Sequence, residues 1–324
     1  MIALPNPLRD APIAIIGAGA VGCYYGALLA RAGLNVTLIG RPAAVAALRD
    51  RGLQLLSGEA RSTFRVRADE DARAAAAARL VLICVKSSDT GQAAASLRPH
   101  LGADTLVLSL QNGVTNAESL LAKLDQPIVA AAVYVAAALE APGTVRHFGG
   151  GALTIGAPAT RPVSAPETAA LAALLNGAGI ETTVTPDITS VLWGKLVVNC
   201  AYNALSAITQ QTYGQLVASS AIRRVMQEAI DEVLEVAKAR SIALPVDMHE
   251  RVMKVAGLMP GQRSSTAQDL ARRRPTEIDY LNGYIAAEGA RLGLATPVNQ
   301  TLGALVRQLE STHLPADARS SAAT

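Results

Sequence analysis

The stretch Ile13-Ala-Ile-Ile-Gly-Ala-Gly-Ala-Val-Gly22 decides the fold of this chain. Its four leading apolar residues predict a buried strand, and three glycines follow in the spacing Gly-x-Gly-x-x-Gly before a helical pattern begins. In such a unit the first glycine permits the tight turn, the second lets a pyrophosphate approach the backbone, and the third lets helix and strand pack closely. The helix N-terminus directs free N–H groups at the phosphates. The stretch predicts a dinucleotide site made by Gly17, Ala18, Gly19, Ala20, Val21 and Gly22.

The residues that follow this stretch complete a βαβ unit. Val21–Ala32 is predicted to be a helix that ends at Gly33, and Val36–Ile39 a second strand. A Gly-rich turn that binds nothing is the alternative, but an empty site would rarely need all three glycines in this context.

The tip of the second strand selects the nucleotide. It reads Gly40-Arg41-Pro42 and carries no acidic residue, whereas NAD sites usually place Asp or Glu there for the ribose 2′-hydroxyl. A guanidinium can pair with a 2′-phosphate through two hydrogen bonds and can stack on adenine. Arg41 therefore predicts NADPH as the cofactor, and the alternative is a solvated surface arginine.

Length and composition predict a two-domain globular protein of the cytoplasm. The chain has 324 residues, half of them hydrophobic, and its net charge of +3 is too small and dispersed to indicate a nucleic acid or a membrane surface as partner. Arg272-Arg273-Arg274 is a basic cluster that we interpret as a solvated helix face. The N-terminus lacks the apolar core of a signal peptide, and no apolar run approaches the ~18 residues of a membrane span.

Cysteine usage gives no sign of a metal site. Cys23, Cys84 and Cys200 lie far apart in apolar segments, without the spacing of metal ligands. We expect reduced thiols in the core. Residues 1–11 and 313–324 are expected to be loose termini.

Strand and helix signals alternate through the first half of the chain, which is typical of a mostly parallel sheet. After the first unit they predict a helix over Asp89–Leu97 and strands over Leu80–Val85, Thr105–Leu110, Ile128–Ala138, Val145–Phe148 and Leu153–Ile155, the last two separated by Gly149-Gly150-Gly151. The pattern then becomes helical, with helices predicted from Pro186-Asp187, over Arg223–Arg240 and over Pro275–Leu292. We therefore expect an α/β Rossmann-like domain over residues 12–185 and an all-helical domain over residues 186–312.

Two loops of the first domain carry polar residues directly after strands, where ligands bind in open α/β sheets. Lys86 follows the first of these strands, and Asn112 follows the next within Gln111-Asn112-Gly113. A solvated lysine and a simple turn are the alternatives.

A lysine and two asparagines share one face of a predicted helix in the second domain. At about 100° per residue, Lys195, Asn199 and Asn203 drift only slightly around the helix axis from one to the next. Their neighbours are mostly apolar, and buried polar groups are costly without partners, so the alignment indicates a polar pocket. An ammonium group in such a pocket can lose a proton near neutral pH, which a guanidinium cannot. A lysine that snorkels from the helix edge is the alternative.

A third polar segment runs from Ser264 to Tyr280. Ser265 and Asp269 share a helix face, and Glu277 lies near a helix start after Pro275, where a carboxylate is favourable. From the residues alone, that structural role is the preferred interpretation of Glu277.

In combination these motifs resemble the ketopantoate reductase family, the 2-dehydropantoate 2-reductases. The resemblance spans nearly the whole chain and is carried, in family order, by Gly-Ala-Gly-Ala-Val-Gly, Val85-Lys86, Gln111-Asn112-Gly113, Trp193-x-Lys195-x-x-x-Asn199-x-x-x-Asn203, Ser-Ser-x-x-Gln-Asp and Thr-Glu-Ile-Asp. It implies an NADPH-binding Rossmann domain, an all-helical second domain and reduction of a small-molecule 2-oxo acid at C2. It also implies a homodimer through the helical domain, for which no residue pattern gives an independent signal.

The resemblance assigns roles residue by residue. The glycine loop and Arg41 would hold the cofactor phosphates, while Lys86, Asn112 and the backbone near Ala137 would lie closer to the nicotinamide. Lys195 would be the general acid, and Glu277 would position it or hold cofactor and substrate hydroxyls. The substrate oxygens would be oriented by Asn112, Lys195, Asn199, Asn203 and Ser265.

One departure bears on the substrate. Pantoate-forming members often carry another asparagine where this chain has Tyr213, and a phenol cannot reproduce the donor and acceptor of an amide. Ketopantoate is therefore the first candidate, and another 2-oxo acid on the same scaffold is the alternative. A 3-hydroxy acid or opine dehydrogenase would share only the nucleotide half, and a non-enzymatic NADPH sensor would leave Lys195 and Glu277 without a task.

Overall fold

The computed structural model describes residue 8 and residues 11–313, except for the side chain of His313. The predicted loose termini therefore lie almost entirely outside the described residues. The chain divides into two compact units between Ile188 and Thr189. We call them the N-terminal unit and the C-terminal unit.

The N-terminal unit is built on one sheet with helices. Its strands are β1 (Ile13–Ile16), β2 (Val36–Ile39), β3 (Leu53–Ser57), β4 (Ala60–Phe64), β5 (Arg67–Asp69), β6 (Leu80–Ile83), β7 (Leu106–Ser109), β8 (Ile128–Ala141), β9 (Thr144–Gly156) and β10 (Thr182–Val184). Its helices are α1 (Ala20–Arg31), α2 (Pro42–Arg51), α3 (Thr90–Leu97), α4 (Asn116–Leu121) and α5 (Ala165–Gly177), with short 3-10 turns at Ala72–Ala75 and Ser87–Asp89.

The order of the strands is that of a dinucleotide-binding sheet. The strands run β4-β3-β9-β8-β7-β6-β1-β2-β5, with β10 beside β9. From β5 to β8 every neighbouring pair is parallel, and all residues of β1, β2, β6 and β7 are buried. Strands of a parallel sheet covered on both faces are apolar throughout, which explains the uniform runs in the sequence. The predicted mostly parallel Rossmann-like sheet is confirmed.

The region around Gly149-Gly150-Gly151 corrects one prediction. The two short strands predicted on either side of these glycines are one continuous strand, β9, which pairs antiparallel with β8. The glycines have φ values of 149°, 71° and 129°, and the β8–β9 register shifts opposite them, as at a β-bulge. A Cβ on Gly150 would lie 2.3 Å from the Tyr134 carbonyl oxygen. The glycines therefore bend the strand and do not end it.

The C-terminal unit is helical throughout its described residues. It contains α6 (Ile188–Thr209), α7 (Tyr213–Ala218), α8 (Ser220–Ala239), α9 (Met248–Leu258), α10 (Ser265–Ala271), α11 (Asn282–Leu292) and α12 (Pro297–His313), with a 3-10 turn at Ile278–Tyr280. The predicted all-helical second domain is confirmed.

The helix predicted over Pro275–Leu292 is wrong in its first part. The Glu310 carboxylate accepts hydrogen bonds from the backbone N–H of Thr276, at 3.0 Å, and from its hydroxyl, at 2.6 Å. The chain then makes the 3-10 turn, and Leu281 leaves helical geometry with φ −118° and ψ −105°. As a result α11 begins only at Asn282, and Glu277 precedes a 3-10 turn instead of lying in the first turn of a long helix.

The arginine cluster also differs from its prediction. Arg272, Arg273 and Arg274 are exposed, but they follow the end of α10 instead of lying along a helix face. Arg273 has φ +53°, the left-handed conformation that commonly ends a helix.

Helix α6 corrects the expectation about membrane-spanning length. It has 22 residues and a window of mean hydropathy 1.2, so by length and composition alone it could cross a membrane. Of that window, 61% is buried inside the protein, as is usual for a core helix.

Candidate active site

The glycine loop joins β1 to α1 and is shaped by contacts within the N-terminal unit. Gly17 has φ +105°, and a Cβ there would lie 2.8 Å from the carbonyl carbon of Cys84. A Cβ on Gly22 would lie 2.0 Å from the Gly17 carbonyl oxygen. Packing of the protein therefore requires both glycines.

Gly19 is different, because nothing lies within 4 Å of the Cβ it lacks. Its backbone is extended, with φ −81° and ψ −169°, and it caps the N-terminus of α1. Neither packing nor conformation explains a glycine at this position. A ligand that approaches the backbone at the positive end of α1 would explain it, so the loop fits the pyrophosphate of a dinucleotide.

Arg41 caps the N-terminus of α2 and is separated from the end of β2 by Gly40 alone. Its side chain is 90% exposed, and its guanidinium lies 3.4 Å from the Asp89 carboxylate. Because β1 lies between β2 and β6 in the sheet, this ion pair joins the two loops that flank the end of β1. The guanidinium is accessible to a phosphate, and Asp89 is a charged neighbour that sequence reasoning missed.

A buried polar network connects the loops that carry Lys86 and Asn112. The Ser87 hydroxyl donates to the Asn112 carbonyl at 2.9 Å, and the Asn116 amide donates to the same carbonyl at 2.5 Å. The Gln111 amide donates to the Val85 carbonyl at 3.1 Å and to the Thr90 hydroxyl at 2.7 Å. These bonds fix the ends of β6 and β7 relative to each other.

Most of this network was not predicted. Ser87, Thr90 and Asn116 are buried, and they look like ordinary loop and cap residues in the sequence. Lys86 and Asn112 themselves are partly exposed. The structure thus brings the two predicted loops together and leaves both side chains accessible.

Ala137 lies on β8 beside the bulge in β9. It pairs with His147, and the register shifts between Ala136 and Ala137. The His147 ring stacks on Tyr24 of α1 with a centroid separation of 4.6 Å. Ala137 therefore lies next to the bulge and opposite a residue that contacts α1.

Lys195 and Glu277 come together in the C-terminal unit. Lys195 lies on α6 between apolar neighbours, and its side chain is mostly enclosed. Burial lowers the pKa of Lys195 from its usual 10.5 to about 8, although the negative charge of Glu277 acts in the opposite direction. A lysine in this state can give up a proton near neutral pH.

Asn199 and Asn203 occupy the following turns of α6, and Asn203 is linked to the start of α10. The Ser264 hydroxyl donates to the Asn203 carbonyl at 3.1 Å and also caps α10 by accepting from the Ala267 N–H at 3.0 Å. Ser265 is the first residue of α10 and is exposed. The structure therefore gives Ser264 the structural role and leaves the Ser265 hydroxyl accessible.

Tyr213 is the first residue of α7 and is buried. Its ring packs on the fully buried ring of Tyr202, with centroids 4.4 Å apart. Burial raises the pKa of the Tyr213 phenol. The ring of Tyr213 therefore packs against Tyr202, the residue that precedes Asn203 on α6.

The three cysteines are free thiols, and Cys23 and Cys200 are buried as predicted, whereas Cys84 is only partly buried. Burial raises the pKa of Cys23 to about 12 and also raises the pKa values of Cys84 and Cys200. Among the described residues there is no group of three or more His, Cys, Asp or Glu side chains that could hold a metal ion.

Comparison with known proteins identifies the family. The model of the family "Ketopantoate reductase PanE/ApbA" matches residues 13–160, and its C-terminal counterpart matches residues 187–310. The chain belongs to the ketopantoate reductase family. It is 36% identical to a 2-dehydropantoate 2-reductase of Halobacterium salinarum over 91% of this chain and 97% of that protein. It is 34% identical to the enzyme of the same name from Vibrio cholerae over 92% and 97%.

Solved structures of ketopantoate reductases agree with the fold. A PanE/ApbA family ketopantoate reductase from Ralstonia eutropha has a TM-score of 0.86 and 46% identity, with 93% of this chain and 99% of that chain covered. D-mandelate dehydrogenase with NADH and anilino(oxo)acetate has a TM-score of 0.84 and 26% identity, with the same coverage. The same fold is therefore shared by a protein named ketopantoate reductase and a protein named D-mandelate dehydrogenase.

Proposed function

We propose that this member of the ketopantoate reductase family reduces the C2 carbonyl of a 2-oxo acid with NADPH, with 2-dehydropantoate as the first candidate. The observation that carries the proposal is Lys195, a mostly enclosed lysine with a pKa of about 8 that interacts with Glu277. A sensor of the NADPH balance would not need a proton donor of this kind.

The proposed chemistry follows from the charge that develops on the substrate. When bound, the reduced nicotinamide supplies a hydride to the carbonyl carbon. The carbonyl oxygen becomes an alkoxide, which the Lys195 ammonium stabilises and then protonates through its Nζ. Lys195 is left neutral and regains a proton from solvent, which a pKa near 8 permits at neutral pH. The negative charge of Glu277 favours the protonated form of Lys195 at the start of each cycle.

The remaining predicted residues are proposed to bind the cofactor and the substrate. Gly17, Ala18, Gly19, Ala20, Val21 and Gly22 hold the pyrophosphate, and Arg41 holds the 2′-phosphate. Lys86, Asn112 and the Ala137 backbone face the nicotinamide end, and Glu277 also contacts a hydroxyl of the cofactor or substrate. Asn112, Asn199, Asn203 and Ser265 orient the substrate oxygens. We also propose residues 12–185 and 186–312 as the cofactor and substrate domains, a cytoplasmic location, and a homodimer.

A second substrate class is favoured by Tyr213. Its buried ring offers no amide, so a 2-oxo acid with an apolar or aromatic end is the alternative to 2-dehydropantoate. The similarity to D-mandelate dehydrogenase supports this alternative.

A panel of 2-oxo acids tests the reaction and its substrate. NADPH oxidation is followed at fixed enzyme concentration with 2-dehydropantoate, 2-oxoisovalerate, pyruvate and phenylglyoxylate. We expect the highest kcat/KM for 2-dehydropantoate, and Tyr213→Asn is expected to raise its ratio over phenylglyoxylate. A clear preference for another acid would correct the substrate. NADPH binding without oxidation by any of the acids would favour the sensor.

The cofactor preference depends on Arg41. We expect Arg41→Ala to weaken NADPH binding by roughly ten- to a hundredfold, as befits the loss of charge-assisted hydrogen bonds, and to leave NADH binding within about twofold. Arg49→Ala is the control, because that arginine donates to the Ala68 carbonyl at 3.0 Å. Both affinities are measured by fluorescence titration. Equal losses for the two nucleotides would remove the assignment of Arg41 to the 2′-phosphate.

A further inference from the structure

A carboxylate is buried between two helices of the C-terminal unit. Glu232 lies on α8 and is 8% exposed. It accepts hydrogen bonds from the backbone N–H of Val298 at 2.7 Å, from that of Asn299 at 2.8 Å, and from the Asn299 side-chain amide at 2.7 Å. Both N–H groups belong to the first turn of α12, whose positive end favours a negative charge. Glu232 therefore fixes the start of α12 and the amide of Asn299.

The hydrogen bonds continue from Asn299 to α6. The Asn299 side-chain nitrogen donates to the Glu232 carboxylate and to the Ala229 carbonyl. This leaves the Asn299 side-chain oxygen as an acceptor. It accepts from the Asn282 amide nitrogen at 2.9 Å, and the same nitrogen donates to the Cys200 carbonyl at 3.0 Å. Asn282 and Asn299 are fully buried. We call Glu232, Asn299, Asn282 and the Cys200 carbonyl the buried relay; it joins α8, α12, α11 and α6.

The relay reaches the two segments that carry the proposed catalytic pair. Cys200 directly follows Asn199 on α6, the helix that also carries Lys195. Asn282 begins α11 and follows Glu277 after one 3-10 turn. Lys195 and Glu277 thus come from two segments that Asn282 joins. The edge contact of Trp193 with Tyr284, at a centroid distance of 5.9 Å, links the same two segments.

The side-chain amide of Asn282 contributes hydrogen bonds through its nitrogen and not through its oxygen. Its side-chain oxygen is buried and has no hydrogen-bond partner among the described residues. An unsatisfied buried acceptor destabilises a fold, and an apolar side chain of similar volume would avoid that cost. Because the two hydrogen bonds that Asn282 donates are kept despite this cost, we interpret them as fixing one arrangement of the helices.

We propose that Asn282 is a positioning residue that holds α6 against the Glu277 segment and so sets the separation of Lys195 and Glu277, with Glu232 and Asn299 as its anchor. This inference rests on the proposed roles of Lys195 and Glu277. If Asn282 is lost, the two segments can separate. The favourable effect of Glu277 on the Lys195 ammonium then weakens, and its pKa falls further below its usual value.

The test compares Asn282→Leu, which has similar volume and no donors, with Glu288→Gln as the control. Glu288 is also buried on α11, and its carboxylate pairs with Arg240 and Arg291 at 2.7 Å, outside the relay. For each variant the kcat, the KM values and the Lys195 pKa are measured, the last by NMR of ¹³C-methylated lysines assigned with Lys195→Arg. We expect Asn282→Leu to lower kcat about tenfold, to leave the KM for NADPH within about twofold, and to lower the Lys195 pKa by about half a unit. Glu288→Gln is expected to change only the Tm.

Asn282→Ser provides a second variant if Asn282→Leu does not fold, because a hydroxyl keeps one donor. We then expect a smaller shift of the Lys195 pKa in the same direction. A folded Asn282 variant with the wild-type Lys195 pKa and kcat would overturn the proposal. If the wild-type protein reduces no 2-oxo acid, the proposed function fails, while the NMR titration still decides whether Asn282 acts on Lys195.

Discussion

A single lysine side chain determines how this protein is expected to respond to pH. Lys195 is partly buried on α6, and Glu277 reduces but does not remove the cost of burying its charge. Its pKa is about 8 in the folded protein, against 10.5 ordinarily, so the unfolded chain binds more protons between these values. The free energy of unfolding contributed by this group therefore rises with pH across that window.

The proposed reaction depends on the protonated form of Lys195, whereas folding favours the neutral form. Because the proposed mechanism needs a protonated Lys195, we expect kcat/KM to be constant below about pH 8 and to fall roughly tenfold per pH unit above it. Lys195→Arg keeps a charge at all accessible pH values, so its residual activity is expected to lack this alkaline limb. Initial rates of NADPH oxidation between pH 6 and about 10 measure both profiles. An unchanged limb in Lys195→Arg would assign the titration to another group.

At the scale of elements, the bulge in β9 is in close contact with helix α1. A Cβ on Gly151 would lie 2.3 Å from the Tyr24 hydroxyl oxygen, and Tyr25 donates from its own hydroxyl to the Gly151 carbonyl at 3.3 Å. The glycines thus let α1, the helix that follows the nucleotide loop, pack closely on β9.

We expect Gly151→Ala to lower the free energy of unfolding by about 2–3 kcal/mol, since the new methyl group collides with Tyr24 in addition to straining the backbone. Gly149→Ala is the matched control, because Gly149 also has a positive φ but has open space around it. Urea denaturation measures each variant. In a Tyr24→Phe background the cost of Gly151→Ala should shrink toward that of Gly149→Ala. An equal cost in both backgrounds would show that backbone strain alone is responsible.

Elements marked by local sequence signals could be predicted, whereas elements that depend on distant partners could not. β1 and β2 are found at their predicted bounds, because uniform apolar runs and glycines are local signals. The hairpin of β3 and β4 was not predicted, since all residues of β4 except Phe64 are exposed and its sequence is polar. β9 was predicted as two pieces because consecutive glycines also mark turns. The difference between a turn and a bulge depends on the partner strand.

The same distinction holds for the candidate site. The glycine loop and the aligned Lys195, Asn199 and Asn203 follow from spacing alone. Glu277 could not be paired with Lys195 without the resemblance to a family, because the contact crosses between distant segments. Asp89, Asn116 and Asn282 gave no signal, since each acts through a tertiary partner that the sequence does not identify.

At the scale of the whole molecule, the two units carry separable parts of the proposed function. The residues proposed to bind the nucleotide lie in the N-terminal unit, apart from Glu277, and the proposed proton donor lies in the C-terminal unit. Replacement of the donor should therefore leave nucleotide binding largely intact.

We expect saturating NADPH to raise the Tm of wild type and of Lys195→Met by similar amounts, because a ligand stabilises the state that binds it. Differential scanning fluorimetry with and without nucleotide measures the shifts, and Arg41→Ala serves as the variant with a reduced response. Loss of the NADPH shift in Lys195→Met would mean that the lysine holds the nucleotide and would count against a role confined to the substrate.

The empty space beside Gly19 has a practical consequence. In the glycine loop, Gly17 and Gly22 are demanded by the architecture, but at Gly19 a methyl group would meet no protein atom and no torsional penalty. Alanine at Gly19 would fill part of the proposed phosphate site and leave the packing of the protein unchanged. Within one short motif, Gly17 and Gly22 are thus required for folding, and only Gly19 is free to serve ligand recognition.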